Sequence, residues 1–315
     1  MQMRPLGPSG LSTAPVVFGG NVLGWTIDEA QGFRVLDAFV DHGFTAIDTA
    51  DVYSAWAPGN SGGESEAILG RWLAARPGMR ERVTIFTKVG SEMGAPERKG
   101  LSRAWIAEAA EDSLRRLGTG TIDLYFSHWP DETVTHEETL RAYEALIAAG
   151  KVRAIGASNY DAGLLGGARE AAVKTGLPGY SVIQPEYNLY DRAGFEGALQ
   201  DMAEGLGVVT YFSLASGFLT GKYRSAADAA KGSRGGRVAG YFDAKGERIL
   251  AALDRVAEET GAAPSEIALA WVMARPGVTA PIASATSVAQ VESFARAAEL
   301  RLTGAQMQAL TAAGD

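Results

Sequence analysis

Cysteine is missing from the 315-residue sequence, which excludes disulfides, thiolate metal sites and cysteine nucleophiles together. Such a composition fits a reducing compartment. Histidine is nearly missing as well: only His42, His128 and His136 occur, none in a His-X-His pair, so the ligand cluster of a metal-dependent hydrolase is lacking. No stretch approaches the ~18 continuous apolar residues of a membrane span, and the opening "MQMRPLGPSGLSTAPVV" holds no signal-peptide core. Nor is there a block of Lys or Arg. With 29 basic against 37 acidic residues the formal charge is −8, without the basic footprint of a nucleic-acid binder. Together these absences predict a cytoplasmic protein that meets neither nucleic acid nor membrane and holds no metal. A homo-oligomer is allowed but not specified.

What the sequence does contain is enough apolar residue, 46%, for a large core, since chains of this length bury roughly 75% of their unfolded surface. A short β-branched or aromatic run, a polar or Gly-rich loop and a longer segment with helical apolar spacing follow one another repeatedly, the pattern of βα units around a parallel sheet. The predicted strands are "PVVFGG" (15–20), "FTAIDT" (44–49), "RVTIFTKV" (82–89), "TIDLYFSH" (121–128), "VRAIGAS" (152–158), "YSVIQPE" (180–186), "GVVTYFSL" (207–214) and "VTAPIAS" (278–284). Eight such strands close a TIM barrel. The intervening helices open on capping residues and stop at Gly, as in "SRAWIAEAAEDSLRRLG". "SEIALAWVMAR" (265–275) is apolar almost all round but short, so it reads as a buried helix. "RPLGPSGLSTAP" reads as an N-terminal β-hairpin. The fold class is therefore α/β, a (β/α)8 TIM barrel forming one domain over 1–315. Its least regular loop, 223–246, is of a length that is usually functional.

Active sites of parallel barrels lie at the C-terminal strand ends. There the sequence places Asp48, Lys88 and His128, with Tyr53 in the loop after Asp48. Singly, each has an ordinary reading: a turn carboxylate, a snorkelling lysine, a core aromatic, a strand-end imidazole. Converging on one rim, they describe a proton donor. A phenol gives up its proton near neutrality only if its anion is stabilised, which an adjacent ammonium does. Asp48 keeps that ammonium charged, and a ring N–H of His128 orients a carbonyl oxygen facing Tyr53 while another group supplies hydride.

"DTADVY", "TKVG", "SHWP", "GKVRAIGASNY", "QPEYNLYDR" and "SLASGFLTGKY", in this order, resemble the aldo-keto reductase superfamily, and the likeness runs from "RPLGPSGL" to "PIASATSVAQVE". The resemblance implies a metal-independent carbonyl reductase using NADPH, with NADH also open, and a small carbonyl substrate. It makes Tyr53 the general acid/base, Lys88 and Asp48 its tuning pair and His128 the carbonyl-orienting group. Relatives that replace this histidine, such as potassium-channel beta subunits, do different or weaker chemistry; a nucleotide-binding redox sensor is thus the alternative.

The same resemblance carries Ser158, Asn159 and Gln184 over as the nicotinamide carboxamide clamp and Tyr211 as the ring-stacking aromatic. The small residues of the strand-seven loop, with Ser213, Leu214 and Gly217, and the charge of Lys222 suit a pyrophosphate; the resemblance gives Arg234 to the adenosine or its phosphates, and Ser284, Thr286 and Gln290 to the adenosine end. Two departures stand out: Phe212-Ser213 replaces a frequent Ser-Pro, and Phe294 replaces a frequent asparagine. No Lys or Arg lies between Ser284 and Phe294, so Arg234, Arg237 and Arg296 are the cations left to meet a 2′-phosphate. Trp25, Trp56 and Trp129 fall on mouth loops and predict an aromatic-walled substrate pocket. Ser54 stands where many relatives have Gly, at the start of the insertion "SAWAPGNSGG".

Overall fold

The structure is a computed structural model that describes residues 1–229 and 235–315. A two-stranded antiparallel hairpin, β1 (Arg4–Pro5) and β2 (Ser12–Thr13), precedes eight parallel strands. These are β3 (Val17–Gly19), β4 (Ala46–Asp48), β5 (Thr84–Val89), β6 (Ile122–Ser127), β7 (Val152–Ser158), β8 (Val182–Gln184), β9 (Gly207–Thr210) and β10 (Ala280–Ala283). They close in sequence order, with β10 pairing both β9 and β3. The fold is thus the TIM barrel that the alternating pattern predicts.

Two apolar layers follow from the period of two along each strand. Val17, Ala46, Phe86, Leu124, Phe126, Ala154, Val182, Val209, Ala280 and Ile282 fill the interior, plugged from the hairpin by Leu6 and Leu11. Their strand neighbours Phe18, Ile47, Ile85, Tyr125, Ile155, Ile183 and Val208 face outward onto the helices. The interior is tight at β7, where a Cβ on Gly156 would lie 2.4 Å from the Phe126 ring; only glycine lets that ring in. Helices begin at side-chain caps such as Ser102 on the Trp105 N–H and Asp161 on the Leu164 N–H. Several end on left-handed Gly118, Gly176 or Gly261. The helix Pro264–Met273 is buried on nearly every side, with Trp271 stacked on Tyr187 at 5.6 Å, in line with its all-round apolar sequence.

Strands β8 and β9 are shorter than their apolar runs. The ladder stops at Gln184 and Thr210, and a single bridge between Glu186 and Tyr211 prolongs it. Phe212 then enters the left-handed region at φ 49° and turns the chain out of the sheet. In the long loop, the described parts include a short helix, Gly235–Ala239, that buries Val238. No described helix is long and apolar enough to cross a membrane.

Candidate active site

The interior register explains how the site forms. Counting two residues up from an interior side chain, Ala46 leads to Asp48, Phe86 to Lys88, Phe126 to His128, Val182 to Gln184, Val209 to Tyr211 and Ile282 to Ser284. Ala154 leads to Ser158 in two such steps. All seven polar side chains therefore point to the barrel axis just above the last apolar layer. Tyr53 arrives differently, on a turn held by its N–H to the Ala50 carbonyl at 3.2 Å.

Lys88 is fully buried, and its ammonium donates to Asp48 Oδ2 at 2.7 Å, the Thr49 carbonyl at 2.8 Å and Tyr53 Oη at 2.8 Å. Burial lowers its pKa, and Asp48 opposes that. The phenol in turn donates to Asp48 Oδ2 at 3.1 Å, so the three groups form a closed triangle in which Asp48 and Tyr53 also touch directly. The sequence links each of them to Lys88; their direct contact is added by the fold. Gln184 Nε2 donates to the other carboxylate oxygen, Oδ1, at 2.9 Å. Across the opening, the His128 ring stands 6.0 Å from the Tyr53 ring, steeply inclined at 70°. Burial, and then the Lys88 charge, push the imidazole well below its usual pKa, so the ring is neutral near pH 7.

The described residues assigned to a nucleotide fall into three groups. Ser158, Asn159, Gln184 and Tyr211 form one hydrogen-bonded set. Ser158 Oγ donates to the Gln184 carbonyl at 3.0 Å, and Asn159 Nδ2 donates to the His128 carbonyl at 2.8 Å. The Tyr211 hydroxyl donates to Asn159 Oδ1 at 2.6 Å. Asn159 itself sits at φ 61°, a conformation asparagine tolerates better than most residues. Burial, and then Glu186, push the Tyr211 phenol up to about 12, so it stays a protonated ring fixed by Asn159.

The second group is the turn after β9. Phe212, Ala215 and Ser216 all adopt positive φ, followed by Gly217 at φ 100°. Such strain in non-glycine residues costs about 1–3 kcal/mol each and gathers at functional sites. Ser213 Oγ is spent internally on the Thr210 carbonyl at 2.9 Å, whereas buried Ser216 Oγ has no partner among the described residues. Lys222 reaches back over Gly217, where an added Cβ would lie 3.6 Å from its Nζ. An unpartnered hydroxyl, a glycine-opened turn and an exposed ammonium suit a diphosphate, so these residues fit the nucleotide that the resemblance implies. Leu214 starts this turn and is half-buried.

Ser284 bonds Asn21 Oδ1 at 2.8 Å, and Thr286 donates both its backbone N–H, at 2.7 Å, and its hydroxyl, at 3.2 Å, to Gln290 Oε1. These, the third group, follow the β10 end. Arg234 lies outside the described residues. The other two candidate cations are occupied. Arg296 donates to buried Glu266 at 2.7 Å, while Arg237 pairs with Glu186 and lies 4.0 Å over the Phe212 ring.

On the opposite side of the mouth, Trp25 and Trp56 meet edge to face at 5.6 Å, and Trp56 lies 6.1 Å from Tyr53. Trp129 stacks beside His128 at 6.1 Å. Trp56 and Trp129 are both about half exposed, at 48% and 51%, so each presents a face to whatever enters. The insertion explains the placement. Ser54 takes φ 76°, a left-handed conformation that favours glycine, and its hydroxyl donates to the Leu23 carbonyl at 2.7 Å. Asn60 donates to the carbonyls of Gly24 at 2.9 Å and Ser54 at 3.0 Å, closing the loop onto the strand end that carries Trp25.

Two nearby residues were not singled out by their sequence. Ser91 Oγ lies 3.1 Å from His128 Nδ1. Asp51, buried, has neither carboxylate oxygen partnered among the described residues; burial, and then Glu66, raise its pKa well above the usual value. The position of Ser91 three residues beyond Lys88 was the available signal for the first. Among the described residues no cluster of acidic and histidine side chains could hold a metal ion.

Comparison with known proteins places the chain in a family. Residues 15–315 match the Aldo/keto reductase family. An uncharacterized oxidoreductase of Bacillus subtilis, YrpG, is 34% identical over 310 residues, 96% of this chain and 92% of that protein. A probable voltage-gated potassium channel subunit beta of Arabidopsis thaliana is 32% identical over 310 residues, covering 95% and 92%. A 6-dehydroglucose reductase of Novosphingobium aromaticivorans is 31% identical over 305 residues, covering 95% and 90%.

Proposed function

The chain belongs to the aldo/keto reductase family, and from that premise we propose that it reduces aldehydes or ketones to alcohols, with Tyr53 as proton donor and NADPH as the preferred cofactor. The observation that carries this reading is the triangle: one buried ammonium lies 2.8 Å from the phenol oxygen and 2.7 Å from a carboxylate. When bound, the reduced nicotinamide supplies a hydride to the carbonyl carbon. Ser158, Asn159, Gln184 and Tyr211 hold and orient its ring, and the turn with Ser213, Leu214, Ser216 and Gly217, together with Lys222, takes the diphosphate. Ser284, Thr286 and Gln290 border the adenosine.

As negative charge grows on the carbonyl oxygen, the Tyr53 hydroxyl swings from Asp48 Oδ2 to that oxygen and transfers its proton. Lys88 then stabilises the phenolate left behind, and Asp48, anchored by Gln184, keeps Lys88 charged. Neutral His128 has one ring N–H to give to the same oxygen. Trp25, Trp56 and Trp129 form the apolar wall for the substrate, and sugar-derived carbonyls are reasonable test compounds because one relative is named a 6-dehydroglucose reductase.

Replacing Tyr53 by Phe keeps the ring and removes the proton. The expected result is loss of aldehyde-dependent NADPH oxidation with cofactor affinity nearly unchanged; parental turnover by Tyr53→Phe would refute the mechanism. The competing reading, a nucleotide sensor with weak catalysis, predicts tight cofactor binding and negligible rates across an aldehyde, sugar and ketone panel. His128 in contact range of Tyr53 favours the reductase.

A further inference from the structure

His128 has its main chain fixed on both sides. Its N–H donates to the Val89 carbonyl at 2.8 Å and its carbonyl accepts from Asn159 at 2.8 Å. What the main chain leaves open is the rotation of the ring and the nitrogen that carries its proton. A neutral imidazole has one N–H and one bare nitrogen, so it can give a hydrogen bond to a carbonyl oxygen through one edge only. If the proton sits on the nitrogen facing the protein, the edge facing the substrate presents a lone pair and repels the oxygen.

Ser91 Oγ meets the ring at Nδ1, 3.1 Å away. A serine hydroxyl can donate or accept, but only donation to a bare Nδ1 leaves Nε2 protonated and available to a substrate. Ser91 comes to this place because the chain leaves β5 through Gly90, at φ 124°, directly after the strand that carries Lys88. The same strand end therefore supplies the ammonium for Tyr53 and the hydroxyl for His128.

We propose that Ser91 is a positioning residue of this site: its hydroxyl donates to His128 Nδ1, sets the rotation of the ring and keeps the ring proton on Nε2, where a carbonyl oxygen can use it. This rests on the reductase reading, in which His128 donates to the substrate oxygen.

The test compares Ser91→Thr with Ser91→Val, two side chains of nearly equal shape that differ in the hydroxyl. Losing one neutral hydrogen bond that matters in the transition state lowers kcat by about 3- to 10-fold. Ser91→Val should show that loss in NADPH-dependent aldehyde reduction with cofactor affinity unchanged, and Ser91→Thr should keep most of the parental rate. Nitrogen-15 NMR of the three histidines, with His128→Gln used to assign the signal, should show a protonated Nε2 and an accepting Nδ1 in the parent and in Ser91→Thr. In the His128→Gln background, adding Ser91→Val should cost nothing further.

Equal rates for the Thr and Val variants would overturn the proposal, whether both are active or both impaired, because the hydroxyl would then be irrelevant. A parental ring protonated on Nδ1 would overturn it as well. If His128→Gln lowers the rate while Ser91→Val does not, only the role of Ser91 fails. If neither His128→Gln nor Tyr53→Phe lowers the rate, the reductase mechanism itself fails.

Discussion

Asp51→Asn should make this protein more stable, and the gain should depend on pH. Asp51 is 1% exposed, and neither carboxylate oxygen has a hydrogen-bond partner among the described residues. Burial is the main cause of its raised pKa, the nearby Glu66 carboxylate adds to it, and the charges of Arg116 and Lys88 only partly oppose it. Because the folded pKa lies above the unfolded one, the folded chain binds more protons than the unfolded chain between the two values. Stability contributed by this group is present below the ordinary carboxylate pKa and is lost as pH rises through that window. An asparagine has nearly the same shape and no charge to strip of water. The amide is as unpartnered as the carboxyl, so the two proteins differ mainly by the work of ionising the buried group, about 1.4 kcal/mol for each pH unit between the unfolded and the folded pKa. With unfolding entropy scaling with chain length, each kcal/mol corresponds to about 1.5 °C in a 315-residue protein. Melting curves followed by circular dichroism should therefore nearly coincide at pH 4 and separate by about 2–5 °C in favour of Asp51→Asn at pH 8. Activity at pH 7 should stay within about twofold, since the Asp51 side chain bonds to none of the proposed reacting groups and only its backbone N–H, which the substitution keeps, reaches the Lys88 carbonyl. Parallel Tm profiles for the two proteins from pH 4 to 8, or a variant less stable throughout, would refute the electrostatic account.

Lys88→Met keeps the length of the side chain and removes the ammonium, leaving Asp48 buried with Tyr53 and Gln184 alone. Breaking one side of a buried ion pair costs about 3–5 kcal/mol; denaturant titration should show that loss, Asp48→Asn in the same chain should recover part of it, and both variants should lack turnover. Ser54→Gly sets two effects of similar size against each other. It relieves a left-handed serine, about 1–2 kcal/mol, and deletes the hydroxyl bond to Leu23, about 1 kcal/mol. Net stability should change by less than about 1 kcal/mol, while a loosened Trp56 shows as a raised KM for bulky aldehydes at unchanged cofactor affinity; unchanged KM across an aldehyde series would argue against the loop as a substrate wall.

How much of this was legible beforehand depended on whether a feature obeys a period. The barrel was legible because eight apolar runs alternate with capped helical segments, and the period of two then carries Ala46 to Asp48 and Phe86 to Lys88 without any knowledge of contacts. Tyr53 obeys no such rule. It leaves the ladder on a turn, and its contact with Asp48 needed the backbone of residues 50–54 to be known. Charges were the least legible, because a cation's partner need not be near it in sequence. Arg296 looked available for a 2′-phosphate until folding brought it to Glu266, 30 residues away, and Arg237 is likewise taken by Glu186. An ion pair half-exposed at one partner is weakly held, and a phosphate, with its greater charge and several acceptor oxygens, competes for such a cation better than for a buried one. Arg237, 45% exposed and seated over Phe212 beside Tyr211, can exchange its carboxylate for a ligand more readily than a fully covered pair could. Under the proposed reading, cofactor preference is a competition between internal carboxylates and the nucleotide for the same guanidinium groups, a quantity that counting Lys and Arg along the sequence does not contain.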